Sequence, residues 1–179
     1  SVIEEQGKLT PELKKQILAA ETLVVVDDLY RPYRPKRRTR ATIAKEKGLE
    51  PLANLIRLQL TKRPLEEDAK AFLSEEKEVL TVEDALNGAR DILAEAISDE
   101  ADYRIHIRDL TMKEGTLIST ARDEKAQSVY ENYYSYEEPV SKVAGHRILA
   151  INRGEKEKFL TVKVGAPEER ILRYLEKMV

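Results

Sequence analysis

The sequence predicts a mostly α fold: several helices, among them a helix-turn-helix-like pair, with a small β component. Three observations carry this. Leu, Ala, Glu, Lys and Arg abound while glycine and proline number only 7 each in 179 residues, a composition that favours helices over turns. Helix-starting signals, a hydroxyl followed by proline or by an acid three residues on, recur along the chain. Between them apolar residues repeat at three- and four-residue spacing, and only two short stretches read as extended.

Thr10, Pro11 and Glu12 start the first clear helix: a capping hydroxyl, a proline whose missing N–H costs nothing, and an acid near the positive dipole end. In Glu21–Tyr30 the run Leu23–Val26 would suit a strand, but its Ala, Glu, Asp and Leu surroundings suit a helix, and helix is expected. Pro32 and Pro35 break it and leave residues 31–38 as a loop. Thr39 then caps a short helix ending at Gly48, where a left-handed cap lets Leu49 fold back on Ile43 and Ala44. Pro51 starts the next helix, carrying Leu52, Leu55, Ile56 and Leu60, and the two have the layout of a helix-turn-helix.

Pro64 opens a segment with Leu65, Ala69 and Phe72 inward. Thr81 and Asp84 then introduce the strongest pattern in the chain: Val82, Ala85, Leu86, Ala89, Ile92, Leu93, Ala96 and Ile97 describe a core helix. Ser98 is placed to cap the following one, which runs through Tyr103, Ile107 and Leu110 with Arg104 and Arg108 one turn apart. Past Gly115, Thr116–Thr120 suits a strand slightly better than a continued helix. Residues 141–151 read as helix, Phe159–Val164 alternates like a strand, and Gly165 with Pro167 introduces a terminal helix. The β component thus falls near residues 116–121 and 159–164, and a subdivision into 1–80 and 81–179 is expected.

Composition excludes several classes. Cysteine is absent, which removes disulfides, thiolate nucleophiles and cysteine-based zinc sites and fits a cytoplasmic location. No apolar run approaches the roughly 20 residues of a membrane-spanning helix, so no membrane role is expected. Charged residues reach 36% with a net charge of only -2; any contact with nucleic acid must therefore be local. The chain opens at Ser1 and closes at Met178-Val179 within an unfinished amphipathic pattern, as a segment of a longer protein would.

The sharpest local feature is Arg31, Arg34, Lys36, Arg37, Arg38 and Arg40, interleaved with Tyr30 and Tyr33. Guanidinium groups pair with phosphates and tyrosine faces stack on bases, which would make this a loop contacting RNA or DNA. The alternative is that Asp27, Asp28 and nearby glutamates take up these cations in internal ion pairs. The helix-turn-helix reads as structural, because its second helix offers base edges little beyond Asn54, Arg57 and Gln59. His106 and His146 lack a second ligand at helical spacing, so neither a metal nor any other cofactor is expected. Tyr130, Tyr133, Tyr134 and Tyr136 lie among Glu131, Glu137 and Glu138, which repel phosphate; they suit packing or docking. With no phosphate-cradling, dinucleotide or nucleophile-elbow motif and no isolated carboxylate pair, no enzyme is expected.

Three segments resemble the amino-terminal part of Tex, the bacterial transcription accessory protein family: residues 4–13, residues 28–53 with their run of arginines and prolines, and residues 145–157, with Ala89–Glu95 between them. Arg31, Ala144-Gly145 and Lys158-Phe159 depart from the family pattern. The resemblance implies the amino-terminal helical region, over 1–179, of an elongated protein that acts in transcription and associates with RNA or DNA. It also implies that a YqgF-type domain, a helix-hairpin-helix pair and an OB-fold RNA-binding domain lie outside this chain. Nucleic acid would then be bound mainly by those absent domains, with the transcription machinery as a further partner. A competing expectation is a protein-interaction module with no nucleic-acid contact of its own; no oligomer is expected. His146, Arg147, Arg153, Gly154 and Glu155 match a family signature, read here as buried helix anchoring.

Overall fold

The structure is a computed structural model describing residues 1–179. It holds ten α-helices and one three-stranded antiparallel sheet, and the chain divides into two compact units, Ser1–Ile105 with Val179, and His106–Met178.

The first unit contains α1 (Val2–Glu5), α2 (Pro11–Ala19), α3 (Leu23–Tyr30), a 3₁₀ turn at Arg31–Tyr33, α4 (Arg40–Glu46), α5 (Glu50–Leu58), α6 (Leu65–Lys70) and α7 (Val82–Asp99). Hydroxyl caps set the starts of five of them: Ser1, Thr10, Thr22, Thr39 and Thr81 each accept a hydrogen bond from the backbone N–H three residues on. Each satisfies a donor the helix itself cannot. The valine run at 24–26 is helical, as its neighbours indicated.

α7 is the axis of this unit, with α4, α5 and α6 packed along it. The contact works because both sides are small: Ala41 and Ala44 meet Ala85 and Ala89, and a Cβ on Gly88 would collide with Leu49. Gly48 takes φ +75, a conformation that costs glycine little. Leu49 N–H then donates back to Ala44 O at 3.1 Å, and its side chain seals the core beside Leu52, Ala53, Ala69, Val79 and Ile92. Fully burying one side chain of the size of Leu52 contributes about 1.5–3 kcal/mol.

The apolar pattern overstated the core at several positions. Leu55, Leu60 and Leu65 are exposed, and so is Ala96. α5 stops at Leu58 with Gln59 left-handed, which carries Leu60 off the helix face, and the buried stripe of α5 turns out to be Leu52 and Ala53. Ser98 caps nothing, because α7 continues through it to Asp99. The division between units falls after Ile105 rather than at residue 80, since α7 belongs with α4 to α6.

The second unit begins within α8 (Ala101–Glu114) and adds β1 (Thr116–Ala121), β2 (Ser135–Pro139), α9 (Gly145–Lys156), β3 (Leu160–Gly165) and α10 (Glu168–Met178). The sheet order is β2-β1-β3, all antiparallel. β1 and β3 lie where alternation put them; β2 was not foreseen, because two glutamates and a terminal proline mask a strand that buries only alternate residues. α9 starts at Gly145, not Ser141, because Lys142 and Val143 both donate to Pro139 O and close a turn first. It continues past Ile151 to Lys156 because Gly154 is a packing position under Leu160 and Tyr130, not a stop. Tyr130, Ile151 and Leu160 centre this core, with Leu117, Tyr136 and Val162 against it. No helix is long and apolar enough to cross a membrane.

Candidate nucleic-acid interface

The six basic residues of the loop divide into two groups. The 3₁₀ turn at Arg31–Tyr33, with Pro32 inside it, and the extended segment through Pro35 lay the loop along α7. There Arg31 Nε lies 3.3 Å from Asp99 Oδ1. Lys36 pairs with the same carboxylate and with Glu95 at 3.4 Å. Thr39, besides capping α4, donates through Oγ1 to Glu95 Oε2 at 2.7 Å. Asp99 is thus gripped by two cations while only 13% exposed, which screens these pairs less than open surface ones.

Arg34 pairs with Asp27 and lies over the Tyr30 ring at 5.5 Å. Arg38 pairs with Glu46 at 2.8 Å, with both side chains more than half exposed. Asp28, 2% exposed, takes Arg104 at 3.3 Å rather than a loop arginine. Arg37 and Arg40 remain exposed and make no ion pair or side-chain hydrogen bond. They line a cleft of about 540 Å³ together with Asp91, Glu95 and Asp99.

The balance of effects on Glu95 agrees with its place against the loop. Burial alone would push the Glu95 carboxyl up; the hydrogen bond from Thr39 and the charges of Lys36 and Lys45 outweigh it and hold Glu95 below its ordinary value of 4.5. Asp99 and Glu95 were invisible as loop partners in the sequence. They lie 63 and 59 residues beyond Lys36, and α7 reads there only as a polar helix face. Asp27 and Glu46 were foreseeable, lying close by in the chain.

The remaining candidates resolve into structure. His106 stacks on Tyr174 at 3.8 Å. The tyrosines pack the second core: Tyr134 Oη donates to Ala126 O at 2.6 Å, and Tyr133 meets Tyr136 edge-on at 5.3 Å. Tyr136 donates to Glu138, which Arg147 also contacts at 3.2 Å. That bond, then burial, raises the Tyr136 phenol, and the same bond leads the effects that lower Glu138. The expectation of buried anchoring at 146–155 holds for Gly154 alone. His146, Arg147, Arg153 and Glu155 are exposed, because the inward face of α9 is set by Ile151 and Gly154, and these four project from its other sides. Arg147 and Glu138 instead tie α9 to β2.

A family model described as Tex central region-like matches residues 60–179. YdcI of Bacillus subtilis is 50% identical across 99% of this chain, which covers 25% of that protein. Transcriptional accessory protein Tex of Neisseria gonorrhoeae is 38% identical over 89% of the chain and 21% of its own length. The human S1 RNA-binding domain-containing protein 1 is 30% identical over 90% of the chain and 17% of its own length. The chain therefore spans about a quarter or less of the relatives it matches. With the family model covering well over half of the chain and these identities extending across most of it, the chain belongs to the Tex family.

Proposed function

We propose that this chain is a helical scaffold segment of a cytoplasmic, Tex-type transcription accessory protein that associates with RNA or DNA, and that Arg37 and Arg40 are the segment's own phosphate contacts. The carrying observation is the division of the basic loop: four cations are held by carboxylates, while Arg37 and Arg40 are exposed and unpaired at the rim of one cleft. Unpaired guanidinium groups on a fixed loop and on the first turn of the helix it leads into are what a phosphate backbone engages. Names of relatives support the reading, one a transcriptional accessory protein and one with an S1 RNA-binding domain. The segment itself performs no catalysis on this reading. The α4–α5 pair reads no bases on this reading, since α5 turns Leu52 and Ala53 inward and offers only Asn54, Arg57 and the following Gln59.

Anisotropy of labelled single-stranded RNA and duplex DNA across a salt series tests this. Two phosphate contacts give a log-log slope of about 1.4–1.8. The Arg37→Glu/Arg40→Glu variant should lose it, whereas Arg38→Glu should change affinity little. No binding at low salt, or equal binding by the double variant, would overturn the assignment. The second reading, a protein-interaction module docking on other domains or the transcription machinery, draws on Leu23, Leu58 and Leu60, exposed at 86%, 61% and 75%, and predicts salt-insensitive association.

A further inference from the structure

The two edges of the three-stranded sheet differ in a way that bears on what can pair with them. Which backbone groups face outward follows from register. Arg122 N–H donates to Phe159 O, and Ala121 N–H to Tyr134 O, so hydrogen-bonded pairs alternate from these points along each ladder. On β3, Thr161, Lys163 and Gly165 point their N–H and C=O groups at β1, opposite Thr120, Ile118 and Thr116. Leu160, Val162 and Val164 therefore point theirs away from the sheet, and none of these groups has a partner from backbone or side chain. On β2 the outward residues are Ser135, Glu137 and Pro139. Pro139 has no N–H, and Glu137 adds a charge beside it, the devices that blunt an edge.

β3 is thus the edge that can accept another strand. Its side chains define that strand's chemistry. Leu160, Val162 and Val164 share the α9 face, where Val164 is still 51% exposed. Thr161 and Lys163 are exposed on the opposite face, and Lys163 has no ion pair. A second copy pairing with Val162 opposite Val164 would set Lys163 directly against its own counterpart, a destabilising like-charge pair.

We propose that the outer edge of β3 is a strand-addition site for an extended segment alternating apolar residues, laid beside Val162 and Val164, with acidic residues facing Lys163. Main-chain bonds to Val162 and Val164 supply affinity and the alternate side chains supply selection. The site is independent of the basic loop and of any nucleic-acid contact there.

Two labelled probes test it on the full chain: a short peptide alternating valine and glutamate, and its valine–lysine counterpart. The glutamate peptide binds at least tenfold tighter, and Lys163→Glu reverses the order. Val164→Pro abolishes binding; because that N–H faces away from β1, the ladder keeps all its bonds and the variant folds. Hydrogen exchange reports the same event directly, with the amides of Val162 and Val164 fast in the free chain and slowed by the peptide. No binding of the glutamate peptide at about 1 mM, the weak end of specific recognition, would overturn the proposal. So would equal affinity for both peptides, or unchanged binding by a folded Val164→Pro chain.

Discussion

The backbone of Gly154 passes so close to its neighbours that a Cβ there would overlap Leu160 and crowd Tyr130. The same constraint holds at Gly88 under Leu49. Neither glycine needs an unusual φ, so their role is close approach of a helix to its neighbour, and the cost of a side chain is overpacking. Gly154→Ala is expected to destabilise the second unit by about 1–3 kcal/mol, read as an earlier urea midpoint with the tyrosine signal of that core; an unchanged midpoint would mean the neighbours can give way. One residue, Gly154, belongs to the segment 145–157 that resembled the family, and its packing explains its own place in it, while the exposed His146, Arg153 and Glu155 remain without a structural account.

At the scale of elements, the basic loop is clasped to α7 by carboxylates that sit one turn apart, Glu95 and Asp99. Such spacing puts both on one helix face, so a single surface of α7 holds Arg31, Lys36 and Thr39 together. Glu95 titrates below its ordinary value in the folded chain. A depressed carboxylate contributes stability above its unfolded value, and that contribution is lost as pH falls through the folded one. The stability of the wild-type chain should accordingly fall between about pH 5 and the acid limit by a component that Glu95→Gln lacks, measured as the difference between the two chains' urea midpoints at pH 7 and pH 3. A constant difference across that range would remove Glu95 from the clasp. This element-level pairing was half legible: the sequence itself offered ion-paired arginines with Asp27 as a partner, but not the α7 carboxylates, because nothing local connects residues 36 and 95.

Across the whole molecule, two cores form in two units, one of small residues around α7 and one of tyrosines and aliphatics between α9 and the sheet. Leu52 is fully buried in the first. Leu52→Ala is expected to cost about 2–5 kcal/mol and to speed amide exchange through α4, α5 and α7; exchange that stayed slow there would show that the core closes over the gap. Several helix starts, the core helix from Val82 to Ile97, two of three strands and the basic loop were readable from residues alone, because caps, prolines and apolar spacing act over a few residues of chain; the starts expected at Ser98 and Ser141 were not. So was the family resemblance, which rests on contiguous motifs. Tertiary structure decided the rest: that Leu55, Leu60 and Leu65 face out, that β2 exists, that the division falls after Ile105, and that only Arg37 and Arg40 of six basic residues are unpaired. Each of these depends on which distant surface happens to be adjacent, and burial and ion pairing are properties of that adjacency rather than of any local pattern.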